Sequence, residues 1–479
     1  MSLRVFSHVQ DTPSRPGRIS LSNTLLAAAQ NVQAVLAGRS LSDSLAATDP
    51  ALRASAQAVS FHVMRRLGLA TALREALVPR KPTNPLLDAL LRVALALLET
   101  AAAATDPDAE SRPGREVPVY APHTVVDQAV RAAGAHRKLK PFKGLVNGVL
   151  RRFLRERPSI LAQALRDPLA QYNHPQWWVE RLQQAYPEHW QALLEAADRP
   201  GPLALRVNAR RAHVEQVLDA FDAAGIEAFS PMPGAVVLAE PRPVQALPGF
   251  EEGWWSVQDL SAQLAARLLP VHDGMHVLDA CAAPGGKAAH LLEQADLQLT
   301  ALDFDAQRLA RVSDTLQRLG LLSGKVQLRC ADAADVHAWW NGEPYDAILA
   351  DVPCTASGVL RRHPDIRWLR REDDLARTAA LQRRIVDALW GVLKPGGHLL
   401  YATCSIFPEE GELQAQAFMR RHGNAQRLPA PGQILPIIPV GSADSCSRTI
   451  WPHAHVQGVD APFPVTGDGF YYALFAKKG

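Results

Sequence analysis

Cysteine chemistry offers the first lead. Of the 479 residues, five are cysteines, Cys281, Cys330, Cys354, Cys404 and Cys446, and all fall in the last 200 positions. None is paired at metal-ligand spacing, and so few thiols make a disulfide framework a poor expectation. Two of them close apolar, β-type runs: Cys354 in Asp351-Val352-Pro353-Cys354, and Cys404 in Tyr401-Ala402-Thr403-Cys404-Ser405. A cysteine taken singly is usually a small buried hydrophobe, and two facing one another can also be a redox pair. A third chemistry uses both thiols and the neighbouring acid. The C5 carbon of a pyrimidine is too weak a nucleophile to accept a methyl group unaided. A thiolate adding at C6 makes C5 enamine-like, an acid near N3 disperses the developing charge, and a base must then remove the C5 proton before the sulfur can leave. Two cysteines and an aspartate at strand ends supply most of these parts.

A methyl donor would need its own site, and the run Val277-Leu278-Asp279-Ala280-Cys281-Ala282-Ala283-Pro284-Gly285-Gly286-Lys287 reads as one. It is a strand, a tight Gly turn and a helix start, with neither the P-loop spacing nor the dinucleotide G-x-G-x-x-G. Glycines at such a turn let a ligand approach the backbone at a helix N-terminus. The next strand ends in Asp303, with Asp305 just beyond, where an acid accepts from ribose hydroxyls. Asp332 follows the third strand and is placed to accept from an adenine amino group. A nucleoside without a triphosphate fits all three points, and S-adenosylmethionine is the cofactor expected. Lys287 is read as a neutraliser of the cofactor carboxylate, a contact to the base, or a solvated lysine at a helix start.

These residues need a sheet to position them. From Val277 onward, HVLDA, QLTALDFD, VQLRCAD, YDAILADVP and GHLLYATCS alternate with helical stretches, the order of a doubly wound parallel sheet. The Lys394-Pro395-Gly396-Gly397 run is expected as the turn before the fifth strand. The fourth and fifth strands should lie beside the first, so that Cys354 and Cys404 face one crevice. Upstream, residues 1–18 read as a tail, 19–165 as an all-helical domain and 166–253 as a small α+β module, leaving 254–479 for the Rossmann-like domain. The polar segment TDPDAESRPGREVP from Thr105 reads as a surface loop. Hydrophobic residues at 47% and charged residues at 21% exclude a disordered or fibrous chain. No window offers about 18 uncharged apolar residues, and no signal-peptide pattern opens the chain, so a cytoplasmic protein without a membrane partner is expected.

Net charge is only +3, yet residues 1–160 carry 22 Lys/Arg against 12 Asp/Glu, and the remainder is acidic. An anionic partner at one end follows, with nucleic acid as the first candidate. The densest basic stretch contains Arg137, Lys138, Lys140, Lys143, Arg151 and Arg152. Arg206 and Arg210 in LALRVNARR, and Arg361, Arg362 and Arg367 in the loop after Cys354, are further candidates for phosphate contact. Trp368 is either a stacking platform for a base or a buried anchor. His363 has no Cys or His nearby, so no metal is expected.

Taken together, CAAPGGK, DVPCTASGVLRRHPDIRW, YATCSIFPEE and GDGFYYALFAKK resemble the RNA cytosine-C5 methyltransferases, and most closely their bacterial Fmu/Sun branch, which modifies small-subunit ribosomal RNA. FKGLVNGVLRRFLRE, with Asn147, is similar to the NusB-type RNA-binding domain that precedes the catalytic part in that branch, and LALRVNARR to the opening of its middle RNA-binding module. The resemblance spans about Ser20 to Lys478. It implies an α/β Rossmann-like AdoMet methyltransferase domain preceded by an all-α NusB-like domain and a small α+β module. It assigns cofactor contact to Cys281, Ala282, Ala283, Pro284, Gly285, Gly286, Lys287, Asp303, Asp332 and Asp351. It also makes Cys404 the nucleophile, Cys354 the cysteine that assists product release, and Asp351 the acid near N3. RNA rather than DNA is implied, because in DNA cytosine methyltransferases the Pro-Cys cysteine attacks. Thr355-Ala356 stands where Ser-Ala is common, and the Pro-rich stretch 428–465 is variable in the family. The expected protein acts on 16S rRNA as a monomer. Rival expectations are a tRNA cytosine as substrate, an RNA-binding assembly factor with an inactive methyltransferase domain, and an exocyclic amino-methyltransferase. The last would need an Asn/Asp-Pro-Pro-aromatic wall where this chain has DVPC.

Overall fold

A computed structural model describes residues 20–105, 117–437 and 466–479. The expected tail, most of the loop from Thr105, Cys446 and much of the Pro-rich stretch therefore lie outside the described residues. The chain divides into two compact units, one ending at Asn173 and the other beginning at His174.

The first unit is helical. Its helices begin on hydroxyl or carboxylate caps where the sequence offers them: Ser20 before Leu21–Leu36, Ser40 before Leu41–Ala46 and Asp49 before Pro50–Met64. The helix Pro85–Thr105 is apolar on every side and is buried at almost every position from Leu86 to Leu98, so the other helices pack around it. Two of its acids are buried and both are ion-paired: Asp88 lies 3.0 Å from Arg74 and 2.9 Å from Arg92, and Glu99 lies 2.8 Å from Arg157. The helix Lys143–Ala164 kinks at Glu156, two residues before Pro158, where the ring removes a backbone donor. The short helix Pro168–Tyr172, expected in the α+β module, belongs to this helical unit.

The second unit opens with the helices Gln176–Ala185 and Trp190–Ala197, followed, among the described residues, by eleven strands. Strands β1 (Leu203–Val207), β2 (Ala228–Phe229), β3 (Ala235–Leu238) and β4 (Trp255–Val257) form an antiparallel sheet in the order β2-β3-β1-β4. One face of this sheet packs Leu205, Val207, Val236 and Trp255 against Val217 and Phe221 of the helix Val214–Ala223. The remaining strands are β5 (His276–Ala280), β6 (Gln298–Asp303), β7 (Val326–Cys330), β8 (Tyr345–Asp351), β9 (Leu393–Thr403), β10 (Ala425–Ile434) and β11 (Phe470–Lys477). They lie in the order β10-β11-β9-β8-β5-β6-β7. The five strands from β9 to β7 are parallel, as the alternation of strand and helix implies. β11 is antiparallel to both β9 and β10, so the sheet is mixed rather than wholly parallel. The Lys394–Gly397 segment is no separate turn. It lies within β9, where the pairing with β8 shifts register and Gly396 adopts φ +81°.

Candidate active site

The register of the parallel strands brings the chemistry to one end of the sheet. β5 lies between β6 and β8, and β8 lies between β5 and β9. The segments that leave the C-terminal ends of β5, β8 and β9 therefore emerge side by side, and they carry Cys281–Lys287, Asp351–Cys354 and Cys404.

The first of these segments is shaped by its backbone. Cys281 has φ 63° and Gly285 φ 98°, and Gly285 is the N-cap of the helix Gly286–Gln294. A Cβ on Gly285 would stand 3.0 Å from the Val312 Cα and 3.2 Å from its Cγ1, so both conformation and space require glycine here. The Ala283 amide donates to Asp303 Oδ2 at 3.2 Å, which fixes the turn to the end of β6. Asp305 caps the next helix through the Gln307 and Arg308 amides, at 2.8 and 3.0 Å. Asp332 is exposed at the end of β7, and the 64%-exposed Phe304 lies beside Asp303. Accepting carboxylates, an apolar ring and a helix N-terminus thus share one rim. A nucleoside with hydroxyl and amino donors fits that set.

Asp279, in the middle of this rim, is fully buried. Burial, and then the charge of Asp351, pushes its carboxyl up to about 8. Burial also pushes the Cys281 thiol upward, with Asp351 and Asp303 adding to it.

Lys287 reaches from the first turn of its helix to Asp351, with Nζ 2.6 Å from Oδ2 and 5.4 Å from the centre of the Phe470 ring. Burial alone would lower its ammonium, but the adjacent Asp351 outweighs burial and the net shift is upward. A solvated helix-start lysine does not describe it: the side chain is 14% exposed. The sulfurs of Cys354 and Cys404 are 3.4 Å apart. A hydrogen bond to Cys404, and then burial, pushes the Cys354 thiol well up.

The two thiol segments are joined directly. The Gly358 amide donates to the Cys404 carbonyl at 2.9 Å, Ser357 Oγ lies 2.9 Å from Ser405 Oγ, and the Ile406 amide donates to Ser357 Oγ at 2.9 Å. Reading the residues one by one missed Glu410. This fully buried carboxylate accepts from the Thr355 amide at 2.8 Å and from Thr378 Oγ1 at 2.6 Å. Its only signal in the sequence is a pair of acids shortly after Cys404.

Four of the proposed phosphate contacts are corrected by their surroundings. Arg206 is 1% exposed and gives two bonds to Glu293, at 2.6 and 2.9 Å, and one to the Gly286 carbonyl at 2.7 Å. Arg367 is fully buried against Asp198 and the Ala197 carbonyl. Arg362 pairs with Asp468 at 2.6 Å and Asp259 at 2.8 Å, and Arg361 donates to Thr466 Oγ1 at 2.8 Å. All four are committed to partners within the fold rather than to a polyanion. Trp368 is half-buried in the short helix Ile366–Leu369. Arg137, Lys138, Lys140, Lys143, Arg151, Arg152 and Arg210 are exposed.

The model of the 16S rRNA methyltransferase RsmB/F family matches residues 266–476, and that of the RsmF/B-like ferredoxin-like domain matches residues 174–245. Two proteins named ribosomal RNA small subunit methyltransferase B align over 360 residues, 74% of this chain and 78% of their own length. They are 44% identical in Klebsiella pneumoniae and 43% in Escherichia coli O6:H1. A crystal structure titled PH0851 covers 97% of this chain and all of its own at TM-score 0.71 and 24% identity. A methyltransferase homolog protein from Pyrococcus horikoshii covers 65% of this chain and 97% of its own at TM-score 0.52 and 26% identity. No helix among the described residues is long and apolar enough to cross a membrane.

Proposed function

Because the chain belongs to the RsmB/F family of 16S rRNA methyltransferases, we propose that it methylates C5 of one cytosine in small-subunit ribosomal RNA through a covalent bond to Cys404. The observation that carries this reading is the pair of thiols 3.4 Å apart at neighbouring strand ends, beside the Lys287–Asp351 pair. S-adenosylmethionine is the cofactor, and when bound its sulfonium supplies the methyl group. The Cys281–Lys287 turn, Asp303 and Asp332 are the residues that would hold it, with Asp303 suited to ribose hydroxyls and Asp332 to the adenine amino group.

The chain's own residues do the rest. Cys404 sulfur bonds to C6 of the base, and the ring electrons move onto C5, which takes up the methyl group. Lys287 and Asp351 hold a transferable proton between them and face the charge that develops on the N3 side. Loss of the C5 proton to a base restores the ring double bond as the carbon–sulfur bond breaks, and Cys404 leaves as a thiolate beside Cys354. The cytosine must be unstacked to enter the crevice, at a cost of a few kcal/mol. One chain carries both thiols and the Lys287–Asp351 pair, so a monomer suffices for them. The helical unit binds the RNA backbone through its exposed Arg137, Lys138, Lys140, Lys143, Arg151 and Arg152.

The test is tritium transfer from labelled S-adenosylmethionine into ribosomal RNA that lacks the modification, with nucleoside digestion to identify the product. Cys404→Ala abolishes transfer, while Cys354→Ala accumulates a covalent RNA–protein species on denaturing gels. Full activity in Cys404→Ala would falsify the assignment.

A further inference from the structure

The two thiols differ in the charges that flank them. On the Cys404 side stands the Lys287 ammonium, paired with Asp351. On the Cys354 side stands Glu410, fully buried. Its carboxylate takes hydrogen bonds from the Thr355 amide, Thr355 Oγ1, Thr378 Oγ1 and, at 3.5 Å, Gln382 Nε2. All four donors are neutral. Tyr401, buried and donating its hydroxyl to the Glu410 carbonyl at 2.7 Å, faces the same place. Arg370 donates to the Thr355 carbonyl at 2.9 Å.

We propose that Glu410 is a positioning residue for the reaction: it fixes the Cys354 segment over Cys404 and keeps the proton on Cys354, so that the Cys354 S–H donates and the Cys404 sulfur accepts. The inference rests on the reading of Cys404 as nucleophile and explains why two adjacent thiols take different roles. A carboxylate grips a backbone amide more strongly than a neutral acceptor does, so the loop geometry and the local negative charge come from one group. That charge disfavours a thiolate at Cys354 and acts in the same direction as burial and the bond to Cys404. The donated S–H in turn stabilises negative charge on Cys404, both before it attacks and as it departs.

The experiment compares the full-length wild-type protein with Glu410→Gln and Thr378→Val. Brief alkylation with iodoacetamide and peptide mass spectrometry measure the ratio of Cys404 to Cys354 labelling. Thermal unfolding and S-adenosylmethionine affinity serve as controls for folding. In wild type Cys404 reacts first. Glu410→Gln lowers the ratio severalfold and accumulates the covalent RNA adduct with cofactor affinity unchanged. Thr378→Val removes a bond that fixes the carboxylate beside the Cys354 segment, so the loosened Glu410 shifts the ratio in the same direction by less, which keeps the test decisive if Glu410→Gln does not fold. A merely structural role would lower the melting temperature and leave the ratio alone. An unchanged ratio in the variants that fold overturns the proposal, whereas retained activity in Cys404→Ala overturns the reading beneath it.

Discussion

Replacing Arg206 with Met separates two incompatible uses of one cation. The guanidinium joins β1 to the helix Gly286–Gln294, which follows the turn after β5: two bonds to Glu293, one to the Gly286 carbonyl and one to Gln258, with both charged side chains at most 3% exposed. Removing one partner of a buried, hydrogen-bonded pair costs about 3–5 kcal/mol, because the other charge stays behind without compensation. In a unit of this size that corresponds to a melting temperature lower by on the order of 10 °C. The loss should also depend on pH. Burial pushes the Glu293 carboxyl up, and Arg206 pulls against that shift. Without Arg206 the upward shift grows, so the folded variant holds a proton that the unfolded chain has already released. Stability then falls as pH rises above the ordinary carboxyl range, by at most about 1.4 kcal/mol per pH unit. The assay is thermal unfolding of wild type, Arg206→Met and Arg206→Met/Glu293→Leu between pH 5 and 8. The single variant should lose most at pH 8, and the double variant should recover most of the loss. A single variant with a native melting temperature, and with RNA affinity that loses about one unit of salt dependence, would show that Arg206 contacts phosphate and that the buried pair is irrelevant.

Two further outcomes are expected. Charge-neutral replacement of Lys143, Arg151 and Arg152 should weaken ribosomal RNA binding, with the logarithmic salt slope falling by about 0.7–0.9 for each phosphate no longer neutralised, while S-adenosylmethionine affinity stays unchanged; an unaltered slope in filter binding rejects that helix as an RNA-binding element. Asp279, with its carboxyl at about 8, withdraws stability as pH rises from about 4 to about 8; Asp279→Asn should flatten that part of the pH–stability curve, and a curve parallel to wild type rejects the shift.

The parallel strands, the tight turn between β5 and the helix Gly286–Gln294, and the meeting of Cys354 with Cys404 were legible because each depends on local pattern and on a topology with few alternatives. The fate of the arginines was not. Arg206, Arg362 and Arg367 look like any basic residue in a loop or strand, and their partners Glu293, Asp468 and Asp198 are 87, 106 and 169 positions away. A charge is assigned to solvent, RNA or an ion pair by what folds over it, and no window of sequence contains that neighbour. Glu410 was hidden for the same reason, since its partners come from the Cys354 segment and from the helix Glu372–Val392. The antiparallel β10 and β11 escaped notice because they fall outside the alternation of strand and helix, and β11, far along the chain from β9, inserts between β9 and β10.

The placement of β11 between β9 and β10 bears on synthesis at the ribosome. β10 is made first but pairs with β11, so until residues 470–477 emerge the nascent chain carries β9 as an open edge and β10 without a neighbour in the sheet. Arg362 likewise waits for Asp468. A message broken or stalled before codon 468 would yield a product with both thiols encoded and neither correctly backed, a sticky intermediate for quality-control proteases rather than a slow enzyme.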